Sequence, residues 1–244
     1  MHMHESKYLT LAIQNNAIWC DTICRAHGLP GEFHEGYWIH QRPTPRYYPN
    51  LVTLSPASAL NLQQAELAAF LMEKQAYGVS VKDSFADLDP AAFGFQQLFE
   101  AQWIMRPAPT ASIHLTKGDL QWKQIVSEDE LRKWEMAWSQ AEVAAHERLF
   151  GQALLADADI CFVAAYKGDQ IVAGAIGNRT TGVVGLSNLF APEQEAQSYW
   201  EGIVAMLASC YPGLPIVGYE QDESLMQALQ AGFTTLGPLR VWVR

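Results

Sequence analysis

The sequence predicts an α/β protein with a mixed, mostly antiparallel β-sheet flanked by helices. Three apolar segments, at residues 160–166, 170–177 and 182–190, are typical of antiparallel strands. The first two are joined by Lys167-Gly-Asp169, a tight hairpin turn. Helical segments and two further strands alternate from there to the C-terminus, and a Gly-Phe pattern occurs once in each half of the chain. These features predict a sheet protein whose two halves share a short sequence pattern.

Length, composition and charge predict a globular protein and argue against nucleic-acid-binding and membrane proteins. The chain has 244 residues, of which 49% are hydrophobic and 17% charged, so a packed core is expected rather than disorder. It carries 16 Lys and Arg against 26 Asp and Glu, a formal net charge of −10. Neither half has a basic stripe, which argues against nucleic-acid binding. No apolar run is as long as a membrane span and no signal-peptide pattern is seen, so we expect a cytoplasmic protein that does not bind membranes.

The first half is predicted to alternate between helices and short strands. Residues 14–26 have the pattern of an amphipathic helix that ends near Gly28. Residues 107–118 are rich in Pro, Thr and Ser and mark the boundary between the halves, so we expect one domain at 1–110 and another at 119–244. The remaining elements predicted here are strands at 36–41, 51–54, 77–81 and 99–105 and helices at 59–75 and 90–93.

The second half has clearer helix start and stop signals. Ser127 and Glu130 form a capping box before a helix that runs to about residue 141. Pro192 is predicted to open a helix that ends at Leu207, and Gly232 to stop a helix at 223–230. The other predicted elements are strands at 119–126, 215–219 and 235–242 and a helical stretch at 142–155.

The repeated Gly-Phe pattern suggests an internal duplication. Residues 94–106 and 232–244 each begin Gly-Phe-x-x-Leu and end, after seven more residues, in Arg. Four of the 13 aligned positions are identical, so chance similarity and duplication both stay open. A true duplication would make the first half a degenerate second copy of the second.

From residue 160 onward the pattern resembles the GCN5-related N-acetyltransferase (GNAT) family. The resembling segments are Ile160-Cys-Phe-Val-Ala-Ala-Tyr166, Asp169-Gln-Ile-Val-Ala-Gly-Ala-Ile176 and Gly182-Val-Val-Gly-Leu-Ser-Asn-Leu-Phe190, with a closing Gly-Phe before the last strand. The resemblance implies an acyltransferase that uses acetyl-CoA, held in a gap between the strand ending at Phe190 and the next parallel strand. The implied acceptor is an amine of a small molecule or peptide.

The resemblance also implies which residues hold acetyl-CoA. The backbone at the end of the third strand would pair with the pantetheine amides, and the pyrophosphate would lie at the start of the following helix. The expected site therefore comprises Ser187, Asn188, Leu189, Phe190, Gln194 and Ser198. No metal ligands are expected.

The loop after the third strand departs from the family pattern. The family normally carries Arg/Gln-x-x-Gly-x-Gly/Ala, whereas this chain reads Ala191-Pro-Glu-Gln-Glu-Ala-Gln-Ser198 without a glycine. A Cβ atom hinders close approach of phosphate to the backbone, and Glu193 and Glu195 would repel a diphosphate. Either CoA binds in a modified way or this half no longer binds it.

Acyl transfer needs a base for the amine proton and an acid for the thiolate. The strand at 215–219 leads into Tyr219 and Glu220, so Glu220 is the candidate base and Tyr219 the candidate acid. The alternative is that Tyr219 packs in the core and Glu220 caps the next helix.

Two further groups of residues carry weaker signals. Cys20 and Cys24 lie four residues apart on a predicted helix and, lacking a second cysteine pair at metal-ligand spacing, are interpreted as buried structural residues, as is Cys210. The aromatic and arginine residues at 33–48 either form a docking rim or pack against the first helix. Two functions remain open: an N-acetyltransferase, and a catalytically degenerate GNAT-like module that binds a ligand or protein.

Overall fold

The computed structural model describes residues 2–59, 69–73, 77–108, 120–141, 144, 147–194 and 196–244, with side chains from residue 6 onward. Its helices are α1 (His2–Ala26), α2 (Glu128–Ser139), α3 (Gln152–Leu155), α4 (Ala196–Cys210) and α5 (Asp222–Gln230). Its strands are β1 (Glu32–Phe33), β2 (Tyr37–Ile39), β3 (Leu51–Thr53), β4 (Ser80–Asp83), β5 (Gln96–Arg106), β6 (Leu120–Ile125), β7 (Ile160–Lys167), β8 (Gln170–Thr180), β9 (Val183–Phe190), β10 (Ile216–Glu220) and β11 (Thr234–Val243). Short 3₁₀ turns lie at Ala57–Ala59 and Pro90–Phe93.

The chain divides into two compact units. The first comprises residues 1–103 with 236–244, and the second comprises residues 104–235. Both boundaries fall inside strands, since β5 ends in the second unit and β11 ends in the first. The mixed α/β sheet class predicted from the sequence is confirmed.

The first unit contains a short mixed sheet. Strand β2 pairs antiparallel with both β1 and β3, β3 pairs parallel with β4, and β4 pairs antiparallel with β11. Apolar side chains from these strands and from helical residues 69–72 form its core: Tyr37, Ile39, Leu51, Phe70, Leu71, Val79, Val81, Phe95 and Trp242.

The second unit repeats this pattern on longer strands. Strand β7 pairs antiparallel with β6 and β8, β8 pairs antiparallel with β9, and β9 pairs parallel with β10. Helix α4 packs on the sheet through the fully buried side chains of Trp200, Ile203 and Leu207. Burial of such side chains contributes roughly 1.5–3 kcal/mol each relative to exposure.

Several element boundaries differ from the sequence-based predictions. Helix α4 begins at Ala196 rather than Pro192, and Glu193 and Gln194 before it lie in a bend and a turn. Strand β4 lies at 80–83 instead of 77–81. Of the helical stretch predicted at 142–155, the described residues are α-helical only at 152–155.

Some predicted features fall on residues that the structure does not describe. They include most of the helix at 59–75, the greater part of the boundary segment 107–118, and Glu195. Ser127 is the N-cap of α2 as predicted, since its hydroxyl accepts from the Glu130 amide at 3.4 Å; it also donates to the Glu130 carboxylate at 2.9 Å.

Candidate active site

The candidate site begins with a bulge near the end of β9. Gly174 of β8 lies opposite Phe190 and Ile176 lies opposite Ser187, so β9 has one more residue than β8 between these pairs. Asn188, inside the bulge, adopts a left-handed backbone conformation with φ of 51°. A bulge leaves backbone groups outside the regular ladder, so the amides and carbonyls of this segment need other partners.

The parallel ladder between β9 and β10 stops just before this bulge. Ile216 lies opposite Val184 and Val217 opposite Gly185, and the register ends there. The backbones are still close at the next step, because a Cβ atom on Gly218 would lie 2.9 Å from the Leu186 carbonyl oxygen. Both strands then continue past the paired region, β9 to Phe190 and β10 to Glu220.

Glu220 is the last residue of β10 and is half-buried. Burial alone raises the pKa of its carboxyl to about 7. Among the described residues, no hydrogen bond or ion pair reaches this carboxylate. A carboxyl group that titrates near neutral pH without a structural partner is suited to proton transfer.

The polar side chains that the sequence predicts at an acetyl-CoA site lie before and after the bulge along the chain. Ser187 is half-buried, and its buried hydroxyl oxygen has no hydrogen-bond partner among the described residues. Gln194 lies in the turn before α4 and Ser198 in the first turn of α4, and both side chains are exposed. No acidic residue lies in the described part of that first turn, so the loop carboxylate of Glu193 precedes the helix.

An aromatic cluster supports the end of β9. The Phe190 ring contacts the fully buried Trp134 ring edge-on at 5.3 Å between centroids. Trp134 is fixed by a 2.9 Å hydrogen bond from its indole nitrogen to the Val163 carbonyl. A Cβ atom on Gly174 would lie 2.5 Å from Trp134 Nε1 and 2.8 Å from Phe190 Cε1, so only glycine leaves room for both rings.

The loop that precedes α3 is fixed by a buried ion pair. The Glu135 carboxylate accepts from Arg148 Nε at 3.1 Å and from the Leu149 amide at 2.6 Å. Arg148 also pairs with Glu128. This network holds Phe150 against the Trp134 ring, with centroids 5.7 Å apart.

The structure places the sequence-predicted residues on adjoining elements. Ser187, Asn188, Leu189 and Phe190 are consecutive on β9, and Tyr219 and Glu220 end the neighbouring β10. Trp134 and Gly174 are not among the site residues predicted from the sequence. A glycine inside strand β8 was the available signal, because it often marks a close approach of other groups to the backbone.

Comparison with solved structures assigns the fold. A GCN5-related N-acetyltransferase from Kribbella flavida matches with a TM-score of 0.58 at 11% identity, covering 93% of this chain and 94% of that one. A conserved protein of unknown function from Staphylococcus epidermidis matches with a TM-score of 0.60 at 15% identity, covering 91% and 96%. A GCN5-related N-acetyltransferase from Sphaerobacter thermophilus matches with a TM-score of 0.50 at 12% identity, covering 77% and 67%.

The chain has the fold of the GCN5-related N-acetyltransferases, as the resemblance in its second half predicts. No protein-family model and no curated protein matches the sequence. Among the described residues, no helix is both long and apolar enough to cross a membrane.

Proposed function

We propose that the second unit is an acyltransferase domain that moves an acetyl group from acetyl-CoA to an amine of a small molecule or peptide. The observation that carries the proposal is Glu220, a half-buried carboxyl group at the end of β10 whose pKa is raised to about 7 by burial. It lies on the strand next to the β9 bulge, where the parallel ladder has ended.

The residues around the bulge fit acetyl-CoA. Pantetheine carries amides that need backbone partners, and the segment at Asn188 and Leu189 has left the regular ladder. The Ser187 hydroxyl is a buried polar group without a described partner. The first amides of α4 are the kind of donor that binds phosphate groups. We propose that Ser187–Phe190 hold the pantetheine arm, and that the start of α4, with Gln194 and Ser198, holds the diphosphate.

Acetyl-CoA would supply the acetyl group as a thioester. Glu220 as a carboxylate would accept the proton that the acceptor ammonium must lose before its nitrogen can attack. Tyr219 is the proposed proton donor to the departing thiolate. Successive side chains of a strand point to opposite faces, so Tyr219 and Glu220 would approach the reacting atoms from different sides near the end of β10. The variant Tyr219→Phe tests whether Tyr219 is the proton donor.

A second function is favoured by the loop after β9. This loop has no glycine, and Glu193, three residues before α4, is exposed. A like charge about 4 Å from a phosphate costs on the order of 1 kcal/mol in water. The competing proposal is therefore a degenerate GNAT-like module that binds a ligand or protein without transferring an acyl group.

Titration of the protein with acetyl-CoA by calorimetry and thermal unfolding separates the two functions. The enzyme proposal predicts saturable binding at micromolar concentration, with about 2.7 kcal/mol of stabilisation at one hundred times Kd. It also predicts acetyl transfer to a panel of amines. Absence of stabilisation at millimolar acetyl-CoA contradicts the enzyme proposal, and binding without transfer to any amine favours the module.

A matched pair of variants tests the position of the diphosphate. Glu193→Gln removes the loop carboxylate, and we expect it to tighten acetyl-CoA binding by about twofold to fivefold. Glu223→Gln removes an exposed carboxylate from the first turn of α5 and is expected to leave binding unchanged. Equal effects of the two variants would place the diphosphate elsewhere.

We also infer that the first unit is a degenerate copy of the second. The antiparallel, antiparallel and parallel sequence of β1–β4 is repeated by β7–β10. Each repeat segment, 94–106 and 232–244, ends in an Arg. The side chain of that Arg donates a hydrogen bond to the residue that precedes the Gly-Phe pair of the other segment. Arg106 Nε lies 2.9 Å from the Ala231 carbonyl, and Arg244 Nη1 lies 2.9 Å from the Phe93 carbonyl.

A further inference from the structure

A cavity of the second unit lies where β5 and α5 end beside α4. Its volume is about 350 Å³, near the lower end of the range of roughly 300–1,000 Å³ that is usual for small-molecule sites, so it suits a small ligand. The described residues that line it are Arg106, Glu201, Val204, Gln230, Ala231 and Gly232. None of them belongs to the proposed acetyl-CoA site, so the cavity is a separate feature of this unit.

Arg106, the last residue of β5, is held in place by the end of α5. The last carbonyls of a helix have no partner within the helix, and Arg106 Nε donates to the Ala231 carbonyl at the C-cap over 2.9 Å. The helix dipole also favours a cation at this end. The half-buried guanidinium is therefore fixed at the wall of the cavity.

The guanidinium of Arg106 has donors left over. Its Nη1 is buried and has no acceptor among the described residues. Burial lowers the pKa of Arg106, and the nearby Glu201 carboxylate opposes this shift without forming an ion pair with it. A buried charged donor without an acceptor is unfavourable, so a carboxylate brought by a ligand would stabilise the site. The planar guanidinium favours a carboxylate because the two groups can form two parallel hydrogen bonds.

Glu201 supplies the opposite charge. It is an exposed residue of α4, and its Oε1 accepts from Gln197 Nε2 at 2.9 Å. The same Nε2 lies 3.3 Å from the Gln230 carbonyl, so the carboxylate is held beside the end of α5. The cavity therefore presents one cation and one anion. A phosphate would be repelled by Glu201 and a simple amine by Arg106, whereas a zwitterion is attracted by both.

We propose that this cavity binds a free α-amino acid as its zwitterion. The carboxylate of the ligand accepts from the Arg106 guanidinium, and its ammonium group donates to Glu201. The buried side chain of Val204 provides an apolar wall for a small ligand side chain. Binding needs no acetyl-CoA, so the proposal does not depend on the proposed acyl transfer.

Arg244, the counterpart of Arg106 in the other repeat segment, provides a control within the same chain. Its Nη1 donates to the carbonyls of Leu71 at 2.6 Å and Phe93 at 2.9 Å, and its Nη2 donates to the Glu73 carbonyl at 2.6 Å. Both terminal nitrogens thus have acceptors from the protein. The two arginines separate a guanidinium with donors to spare from one that only stabilises its own unit.

The direct test is calorimetric titration of the full chain with L-alanine at pH 7, without acetyl-CoA. The comparison ligands are propionate and ethylamine, which each carry only one of the two charges of alanine, and inorganic phosphate. We expect saturable binding of L-alanine, with a Kd at least about tenfold lower than that of any comparison ligand. Absence of saturable binding of L-alanine, glycine and L-valine, or tighter binding of phosphate, would overturn the proposal.

Variants assign the two charges. Arg106→Gln should weaken L-alanine binding by about 10–100-fold, because hydrogen bonds to charged groups are strong. Glu201→Gln should weaken it by about twofold to fivefold, since this carboxylate is exposed. Arg244→Gln and Glu223→Gln are the matched controls and should bind L-alanine within about twofold of wild type. Equal losses of affinity for Arg106→Gln and Arg244→Gln would contradict the assignment of the site.

Discussion

In the first unit, β1, β2 and β3 pair antiparallel and β3 pairs parallel with β4; in the second unit, β7–β10 repeat this order and sense. The ends of the two parallel pairs differ. In the first unit, the Thr53 hydroxyl at the end of β3 accepts a 2.8 Å hydrogen bond from the Ser84 amide, directly after β4. In the second unit, the ladder ends at Val217 and β9 continues through a bulge. In the first unit a side-chain hydrogen bond therefore joins the two strand ends, whereas in the second unit the ladder ends before the bulge.

The carboxylates that end β4 and β10 show the same difference. Asp83 is completely buried and accepts from the amides of Leu88 at 3.0 Å and Phe85 at 3.4 Å. Glu220 makes no such bond to the described residues. Burial raises the pKa of both groups, but at Asp83 the backbone amides oppose it. Asp83 is therefore a structural carboxylate, and Glu220 is free to exchange protons.

The largest expected effect comes from Glu220→Gln. This variant keeps the shape of the side chain but removes the base, so we expect kcat/KM for acetyl transfer to fall by about 10²–10⁴-fold. The unfolding free energy should not decrease, because no hydrogen bond to a described residue is lost. Steady-state kinetics and urea unfolding measure the two quantities.

Glu223→Gln is the control for Glu220→Gln. It removes a carboxylate three residues later, on the exposed first turn of α5, and should leave kcat/KM within about twofold of wild type. If Glu220→Gln also stays within that range, Glu220 is not the base.

Much of this fold could be predicted because its signals are local. The Lys167-Gly-Asp169 turn, the N-cap at Ser127 and the helix end near Gly28 depend on neighbouring residues, and the structure has all three. The start of α4 was predicted four residues too early. Pro192 suits a first helical position, but the chain must first turn after β9, and the sequence pattern does not specify that geometry.

The site was less predictable because it depends on contacts between distant residues. A glycine in β8 does not reveal that Trp134, forty residues earlier, fills the space above it. The sequence also does not indicate that β5 and β11 each begin in one unit and end in the other. Residues 94–106 and 232–244 look like two local repeats, yet each repeat divides between the two units.

Removal of Asp83 should have the next largest effect, this time on stability. Asp83→Ala leaves two backbone amides of the β4 loop without acceptors, and each costs about 1–3 kcal/mol when buried. We expect the unfolding free energy to fall by about 2–4 kcal/mol. Glu220→Ala is the matched truncation and should cost less than half as much. Equal losses in urea unfolding would show that the two carboxylates do the same structural work.

The two repeat arginines provide a smaller contrast. Arg244 donates to the carbonyls of Leu71, Phe93 and Glu73 and stacks over the Phe95 ring at 4.4 Å. Among the described residues, the Arg106 side chain donates one hydrogen bond, to the Ala231 carbonyl, and has one buried nitrogen without an acceptor.

Truncation of each arginine to Ala measures this contrast. Each hydrogen bond makes a net contribution of about 1 kcal/mol to stability, so Arg244→Ala should lower the unfolding free energy by about 2 kcal/mol. Arg106→Ala should lower it by about 1 kcal/mol or less, because the unsatisfied buried nitrogen of Arg106 already costs free energy in the wild type. Chemical unfolding of both variants in one buffer gives the ranking. A larger loss for Arg106→Ala would contradict it.

The smallest expected effect is a pH dependence of stability that originates at Glu220. Its pKa is about 7 when folded and near 4.5 when unfolded, so between these values the folded state binds more protons than the unfolded state. Stability from this group is therefore complete below about pH 4.5 and is lost as the pH rises through 7. Since the side chain is partly exposed, we expect a loss of about 1–2 kcal/mol between pH 5 and pH 8. Glu220→Gln should remove this loss of unfolding free energy between pH 5 and pH 8, whereas Glu223→Gln should keep it. Identical pH profiles of stability for the wild type and both variants would show that the Glu220 carboxyl titrates like an exposed one.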